Sequence, residues 1–68
     1  MDAVAKTAKD RISQVPHLTL QRIWCEYDDG TLFLRGQVPS FYHKQLAQEA
    51  VGGLAQVDAI ANEIEVVW

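Results

Sequence analysis

The sequence has one cysteine, two prolines and no long apolar run among its 68 residues. A single cysteine, Cys25, excludes an internal disulfide. Because the apolar runs are only a few residues long, we expect no membrane-spanning segment. Residues 1–9 also lack an apolar stretch of signal-peptide length. The sequence therefore leaves two alternatives open: a cytoplasmic protein, or an exported protein whose signal has been removed.

Positive charge is also scarce. Six Lys and Arg stand against nine Asp and Glu, which gives a formal net charge of −3. Nucleic-acid-binding domains are usually basic and carry a clustered patch, so this composition argues against nucleic acid as a partner. The same charge weakens attraction to anionic lipid. The apolar share of 49% and the charged share of 22% are typical of one globular domain, which we expect over residues 1–68.

Two helices are predicted. The first covers about residues 3–15, with Asp2 as its cap and Pro16 as its end. The second covers about residues 40–54, with Ser40 as its cap and with Gly52-Gly53 weakening its last turn by about 1 kcal/mol per glycine. Each helix has an apolar stripe at helical spacing: Val4, Ala8, Ile12 and Val15 in the first, and Ala47, Val51 and Leu54 in the second.

A β-hairpin is predicted over about residues 18–38. Its turn is Asp28-Asp29-Gly30-Thr31, in which Asp29 and Gly30 supply the positive φ angles of a two-residue loop. A slip of one residue would mix the apolar and polar sides of the sheet, so the register is well specified. The expected pairs on the apolar side are Tyr27 with Leu32, Cys25 with Leu34 and Ile23 with Gly36.

A last strand is predicted over about residues 60–67, which gives the order helix, strand, strand, helix, strand. The expected fold is α+β, α-β-β-α-β, with two helices packed on one face of a three-stranded mixed sheet and a right-handed crossover into the last strand. No remaining element covers the other face of that sheet. The residues expected on this open face are Arg22, Trp24, Glu26, Phe33, Arg35, Gln37, Glu63 and Glu65.

From Pro16 to Val66 the sequence resembles the BON domain family (bacterial OsmY and nodulation domain). Three pieces carry the resemblance, and their order and spacing matter more than any one of them. They are Ile23-x-Cys25 leading through Asp29-Gly30 into Leu32-x-Leu34-x-Gly36-x-Val38, the helix with Ala47 and Ala50, and Val57-x-x-Ile60-x-Asn62-x-Ile64-x-Val66. The family usually has a glycine at the position of Gln56, so the turn after the second helix is expected to differ.

The resemblance implies a non-enzymatic module, without a cofactor, that contacts phospholipid or other components of the cell envelope. Similar domains occur in osmotic-shock proteins, secretins and some channels, which implies the periplasm or cell envelope as the compartment. The resemblance does not identify the ligand. A sensor of a small ion or ligand has no support from residue spacing.

The start of the second helix is one candidate binding surface. Phe41, Tyr42, His43 and Lys44 place two aromatic rings, a titratable ring and a cation where a lipid headgroup layer would accept them. The alternative is that Phe41 or Tyr42 packs against the protein near the helix start.

The open sheet face is the other candidate, with Arg22, Trp24, Phe33 and Arg35 as the residues expected to contact a protein partner or a second copy. The register places Trp24 opposite Arg35, which predicts a cation–π contact. The alternative is a solvated face stabilised by cross-strand pairs. Trp68 could extend either surface.

Three further positions have structural interpretations. Gly30 serves the turn, Gly36 permits a close approach within the sheet, and Asn62 points inward and needs hydrogen-bond partners. No metal site is predicted, because His17, His43 and Cys25 lack ligand spacing. No catalytic set of residues is predicted either. The leading hypothesis is a binding module for phospholipid headgroups or an envelope protein, and weak self-association through the sheet face remains an alternative.

Overall fold

The structure is a computed structural model that describes residues 2–67, so Trp68 lies outside the described residues. Its order is helix, 3₁₀ turn, strand, strand, helix and a last strand in two pieces, which confirms the predicted α+β fold. The elements are α1 (Ala3–Ser13), the 3₁₀ turn (Pro16–Leu18), β1 (Arg22–Asp28), β2 (Thr31–Val38), α2 (Phe41–Ala50), β3 (Ala59–Asn62) and β4 (Glu65–Val66).

The sheet is mixed, with β2 at its centre. β1 pairs with β2 in antiparallel orientation, and β3 and β4 both pair with β2 in parallel orientation. Asp29 and Gly30 have φ angles of 47° and 84°, as the predicted two-residue loop requires. The hairpin register is confirmed, with Tyr27 opposite Leu32, Cys25 opposite Leu34 and Ile23 opposite Gly36.

The first helix is shorter than predicted. The Asp2 side chain caps it by accepting hydrogen bonds from the N–H groups of Val4 (2.8 Å) and Ala5 (3.3 Å). It ends at Ser13 rather than at residue 15, because Val15 precedes Pro16 and adopts an extended conformation with ψ 117°. The chain then forms the 3₁₀ turn, so the first strand begins at Arg22 and not at residue 18.

The second helix is also shorter than predicted. Ser40 caps it, since its hydroxyl oxygen accepts from the His43 N–H at 3.3 Å. The helix ends at Ala50 rather than at residue 54. Val51 leaves helical geometry with φ −103° and ψ 5°, and Gly53 has φ 82°, which a glycine adopts without strain. Further along this connection, the Gln56 carbonyl accepts a hydrogen bond of 2.6 Å from the Tyr27 hydroxyl.

The last strand is interrupted, which the prediction of one strand over residues 60–67 missed. β3 ends at Asn62 and β4 begins at Glu65, yet both pieces keep the same register against β2. At the break, the Ile64 N–H donates to the Asn62 side-chain oxygen at 3.3 Å. This local bond replaces a strand-to-strand bond and lets the Ile64 side chain stay buried.

The core lies between one face of the sheet and the two helices. Burying each large aliphatic side chain stabilises the fold by about 1.5–3 kcal/mol, so this face holds the small domain together. The Lys9 ammonium on α1 also donates to the Ile23 carbonyl on β1, which ties the helix to the sheet edge. The buried members of the core cluster are Ala8 and Ile12 from α1, Leu18, Ile23 from β1, Leu32, Leu34 and Val38 from β2, Ala47, Val51 and Ile64.

Gly36 marks the point of closest approach within the sheet. Its φ of 139° is one that side-chain-bearing residues rarely adopt. A Cβ atom placed there would lie 1.9 Å from the Arg22 carbonyl oxygen on the paired strand. The break between β3 and β4 lies on the other side of β2 at the same level. Gly36 therefore allows β2 to deform between its two neighbours.

We predict that Gly36→Ala destabilises the protein by at least about 3 kcal/mol, because the methyl group meets backbone and the φ angle becomes strained. Urea unfolding followed by circular dichroism measures this. Gly52→Ala is the matched control, since its Cβ would meet nothing closer than 3.5 Å. Equal unfolding midpoints for the two variants would contradict the role of Gly36.

Burial raises the pKa of the Cys25 thiol, and the nearby Lys9 ammonium opposes the shift. A raised pKa in the folded state means that the unfolded chain loses its thiol proton first as pH rises. The free energy of unfolding should therefore fall above about pH 8.5, the ordinary thiol pKa. We predict that the free energy of unfolding falls more steeply between about pH 8 and 10, the range around that pKa, than it does in Cys25→Ala. Urea unfolding at each pH measures both profiles. Parallel pH profiles would contradict this.

Candidate functional site

The open sheet face is a regular grid of side chains that neither helix covers. Its register gives rows that run from β1 across β2 to the last strand. One row is Trp24, Arg35 and Glu63, and the next is Arg22, Gln37 and Glu65. Two further rows of the same face lie nearer the hairpin turn. They are Glu26 with Phe33 and Ala61, and Asp28 with Thr31 and Ala59.

Arg35 is the centre of an ion-pair network on this face. Its Nη2 atom lies 3.2 Å from a Glu63 carboxylate oxygen, and its Nε atom lies 3.5 Å from a Glu26 oxygen. The guanidinium also sits over the Phe33 ring, 5.3 Å from the ring centroid. Arg35 on β2 thereby contacts β1 through Glu26, the break between β3 and β4 through Glu63, and the Phe33 ring.

The predicted cation–π contact between Trp24 and Arg35 is wrong. The two residues are paired in register as expected, but the guanidinium lies over Phe33 instead. Glu26, the cross-strand partner of Phe33, lies 3.5 Å from the Arg35 Nε atom, and Glu63 contacts Arg35 from the side away from Trp24. Trp24 is left 50% exposed, and its indole N–H has no acceptor among residues 2–67.

A groove of about 400 Å³ lies at one end of the open sheet face. Arg22 and Glu65 stand on opposite sides of it, and neither side chain has an ion-pair or hydrogen-bond partner within residues 2–67. Gln37 forms the floor between them, a role that sequence reasoning missed although the register placed Gln37 on this face. The full lining is Arg22, Trp24, Arg35, Gly36, Gln37, Glu63 and Glu65.

The start of α2 presents the second candidate surface. Phe41 and Tyr42 are 65% and 58% exposed, whereas His43 and Lys44 are half-buried. The Tyr42 ring lies edge-on to the rings of His17 and His43, with centroid distances of 6.0 Å. The four predicted contact residues therefore differ in exposure, and only the two aromatic rings are largely exposed.

Leu20 is an exposed apolar residue that sequence reasoning missed. It is 92% exposed and follows the 3₁₀ turn that contacts α2. The sequence prediction placed residue 20 within a strand, where the side chains alternate between the two faces of the sheet. Its full exposure was therefore not expected. We use the name apolar corner for the three exposed apolar residues of the 3₁₀ turn's exit and the start of α2, Leu20, Phe41 and Tyr42.

His43 is engaged with the helix cap. Its Nδ1 atom lies 2.6 Å from the Ser40 hydroxyl oxygen, and that same oxygen accepts the His43 backbone N–H. No hydrogen bond joins His43 to a carboxylate among residues 2–67. This arrangement is that of a capped helix start, and Ser40 and His43 fulfil a structural task there.

Gly30 and Asn62 connect distant parts of the fold. The Gly30 carbonyl accepts from the N–H groups of Asp58 at 2.7 Å and Ala59 at 3.2 Å, which joins the hairpin turn to the start of β3. The Asn62 amide donates to the Lys44 carbonyl at 3.0 Å and to the Gln48 side chain at 3.2 Å, which joins β3 to α2. Both positions support the geometry of the sheet.

Within the described part of the chain, residues 2–67, no cluster of three His, Cys, Asp or Glu side chains is placed to hold a metal ion. Over the same residues, neither helix has the length and hydropathy needed to cross a bilayer.

The sequence model of the BON domain family matches residues 2–67, so it includes α1 as well as the segment from Pro16 that carried the resemblance. No curated protein matches the chain closely enough to count as a relative.

Proposed function

The chain belongs to the BON domain family, and from this premise we propose that it is a binding module that takes a protein partner on its open sheet face. The observation that carries this proposal is the half-exposed Trp24 beside a groove whose two charged walls have no partners within residues 2–67. Large aromatic side chains and arginines are the residues that most often anchor protein interfaces.

The chemistry of the groove favours a protein over a simple ion. Arg22 offers a planar set of donors on one side, and Glu65 offers acceptors on the other. Gln37 between them can both donate and accept. A surface with both charges and an amide matches the mixed side chains and peptide groups of another protein.

The net charge also favours a protein partner over an anionic membrane. The chain carries −3 overall, and the open sheet face includes Glu26, Glu63 and Glu65 against Arg22 and Arg35. Both the whole chain and this face would be repelled by an anionic lipid surface.

We predict that a photo-crosslinking residue in place of Gln37 forms adducts with protein when the full chain is expressed in its native host. The same residue in place of Lys6, which is exposed on α1, is the control and should form few adducts. Trp24→Ser should reduce the Gln37 adducts by about tenfold, since losing a large buried contact costs about 1.5–3 kcal/mol. Equal adduct yields from positions 37 and 6 would contradict the proposal.

Contact with phospholipid headgroups is a second candidate function, and the apolar corner favours it. Leu20, Phe41 and Tyr42 expose large apolar surfaces, with Lys44 on the same helix as the two rings. Aromatic side chains with polar atoms favour the interface between headgroups and acyl chains. The likeness to the BON family supports the same idea, including a location at the cell envelope.

We predict that the apolar corner gives weak binding to vesicles of zwitterionic phospholipid. The double variant Tyr42→Ala, Lys44→Ala should bind about tenfold less, because one large apolar contact is lost. Flotation of vesicles with bound protein measures this, and Trp24→Ser is the control that should float like the unchanged protein. If the double variant floats equally well, the apolar corner does not contact lipid.

A further inference from the structure

Two of the four rows on the open sheet face carry complementary polar groups at their two ends. Arg22 lies on β1 at one edge, and Glu65 lies on β4 at the other edge of the same row. In the neighbouring row, the Trp24 indole donor lies at the β1 edge and the Glu63 carboxylate lies at the opposite edge. These two rows therefore each have a donor group at one end and an acceptor group at the other.

Resting on the proposed function of this face, we propose that its partner is a second copy of the chain. The two open sheet faces pack against each other about a two-fold axis that runs parallel to β2. Such an axis keeps each row over the same row and exchanges the two edges. Isologous pairs of this kind are the commonest symmetry among protein dimers, and aligned packing is one of the two usual arrangements for stacked sheets.

This symmetry supplies the partners that are missing within one copy. Arg22 faces Glu65 of the second copy, and the symmetric pair forms on the other side of the axis. The Trp24 indole N–H faces the Glu63 carboxylate of the second copy. The two ion pairs therefore join Arg22 and Glu65, which have no partners within residues 2–67 of one chain. In the two hydrogen bonds, the unpartnered Trp24 indole donates to a Glu63 carboxylate that can accept further bonds beside its contact with Arg35.

The centre of the interface is also compatible with this symmetry. Phe33 of one copy lies over Phe33 of the other, and Arg35 lies over Arg35. Two bare guanidinium groups would repel each other. Here each one is already held by Glu26 and Glu63 of its own chain, so its charge is neutralised before the copies meet.

The size of the face predicts a weak dimer. Strands are about 4.8 Å apart and alternate residues about 6.7 Å apart, so three strands and four rows cover roughly 400 Å² per copy. The total lies at the low end of interface sizes, among weak and transient encounters. We therefore expect a dissociation constant on the order of 100 µM or weaker.

Paired charge reversal tests the proposal. Arg22→Glu and Glu65→Arg should each weaken self-association at least about fivefold, because each turns two attractive pairs into two repulsive ones. A mixture of the two variants should form a heterodimer, since the carboxylate introduced on β1 of one variant then meets the guanidinium introduced on β4 of the other. The variant that carries both substitutions should associate like the unchanged protein. Sedimentation equilibrium of each variant, of the mixture and of the double variant measures these constants.

The matched controls are Lys6→Glu and Glu49→Arg, which change the net charge by the same amounts on the helices. These controls, alone or mixed, should associate like the unchanged protein. If the mixture of Arg22→Glu and Glu65→Arg associates no better than either variant alone, the two-fold arrangement is wrong. If Gln37 then still crosslinks to a different protein, the proposed function stands and only the second copy is excluded.

Discussion

Both helices pack against the same face of the sheet, and the rest of the structure depends on this burial. A 68-residue chain has too little apolar surface to build two cores, so one face of the sheet takes nearly all of it. Leu32 and Leu34 point into that core from β2, and alternation along the strand sends Phe33 and Arg35 to the other side. The open sheet face is therefore the direct result of how the core is formed.

Strand pairing positions the side chains of the open face, and ion pairs rather than burial connect them. Arg35 contacts one carboxylate on β1 and one in the break between β3 and β4, and it lies over the Phe33 ring, so a single side chain joins both neighbours of β2. Each exposed ion pair contributes little alone, but shared side chains reduce the entropy cost of a network. This network leaves Trp24, Arg22 and Glu65 without partners within residues 2–67. Paired groups at the centre and unpaired groups at the edges are the features on which we base a protein-binding role for this face.

Local signals in the sequence were sufficient where neighbouring residues decide the structure. Asp29 and Gly30 predicted the turn, and the turn determined every pair of the hairpin. The break in the last strand was not predictable, because it depends on the Asn62 side chain and on the deformation at Gly36 across the sheet. The ring contact of Arg35 was missed for a similar reason. The register showed which residues face each other, but the competition between Trp24, Phe33 and two carboxylates is settled only in three dimensions.

If the open sheet face packs against a second copy of the chain, it is exposed at low protein concentration and covered at high concentration. The most direct measurement is NMR line broadening by a soluble paramagnetic probe, in dilute and concentrated samples. We expect the Trp24 indole and Gln37 amide signals to be broadened in the dilute sample and protected in the concentrated one, while the Tyr42 signals stay broadened in both. Continued broadening of Trp24 and Gln37 in the concentrated sample would contradict this packing, and protection of Tyr42 instead would place the contact between copies at the start of α2.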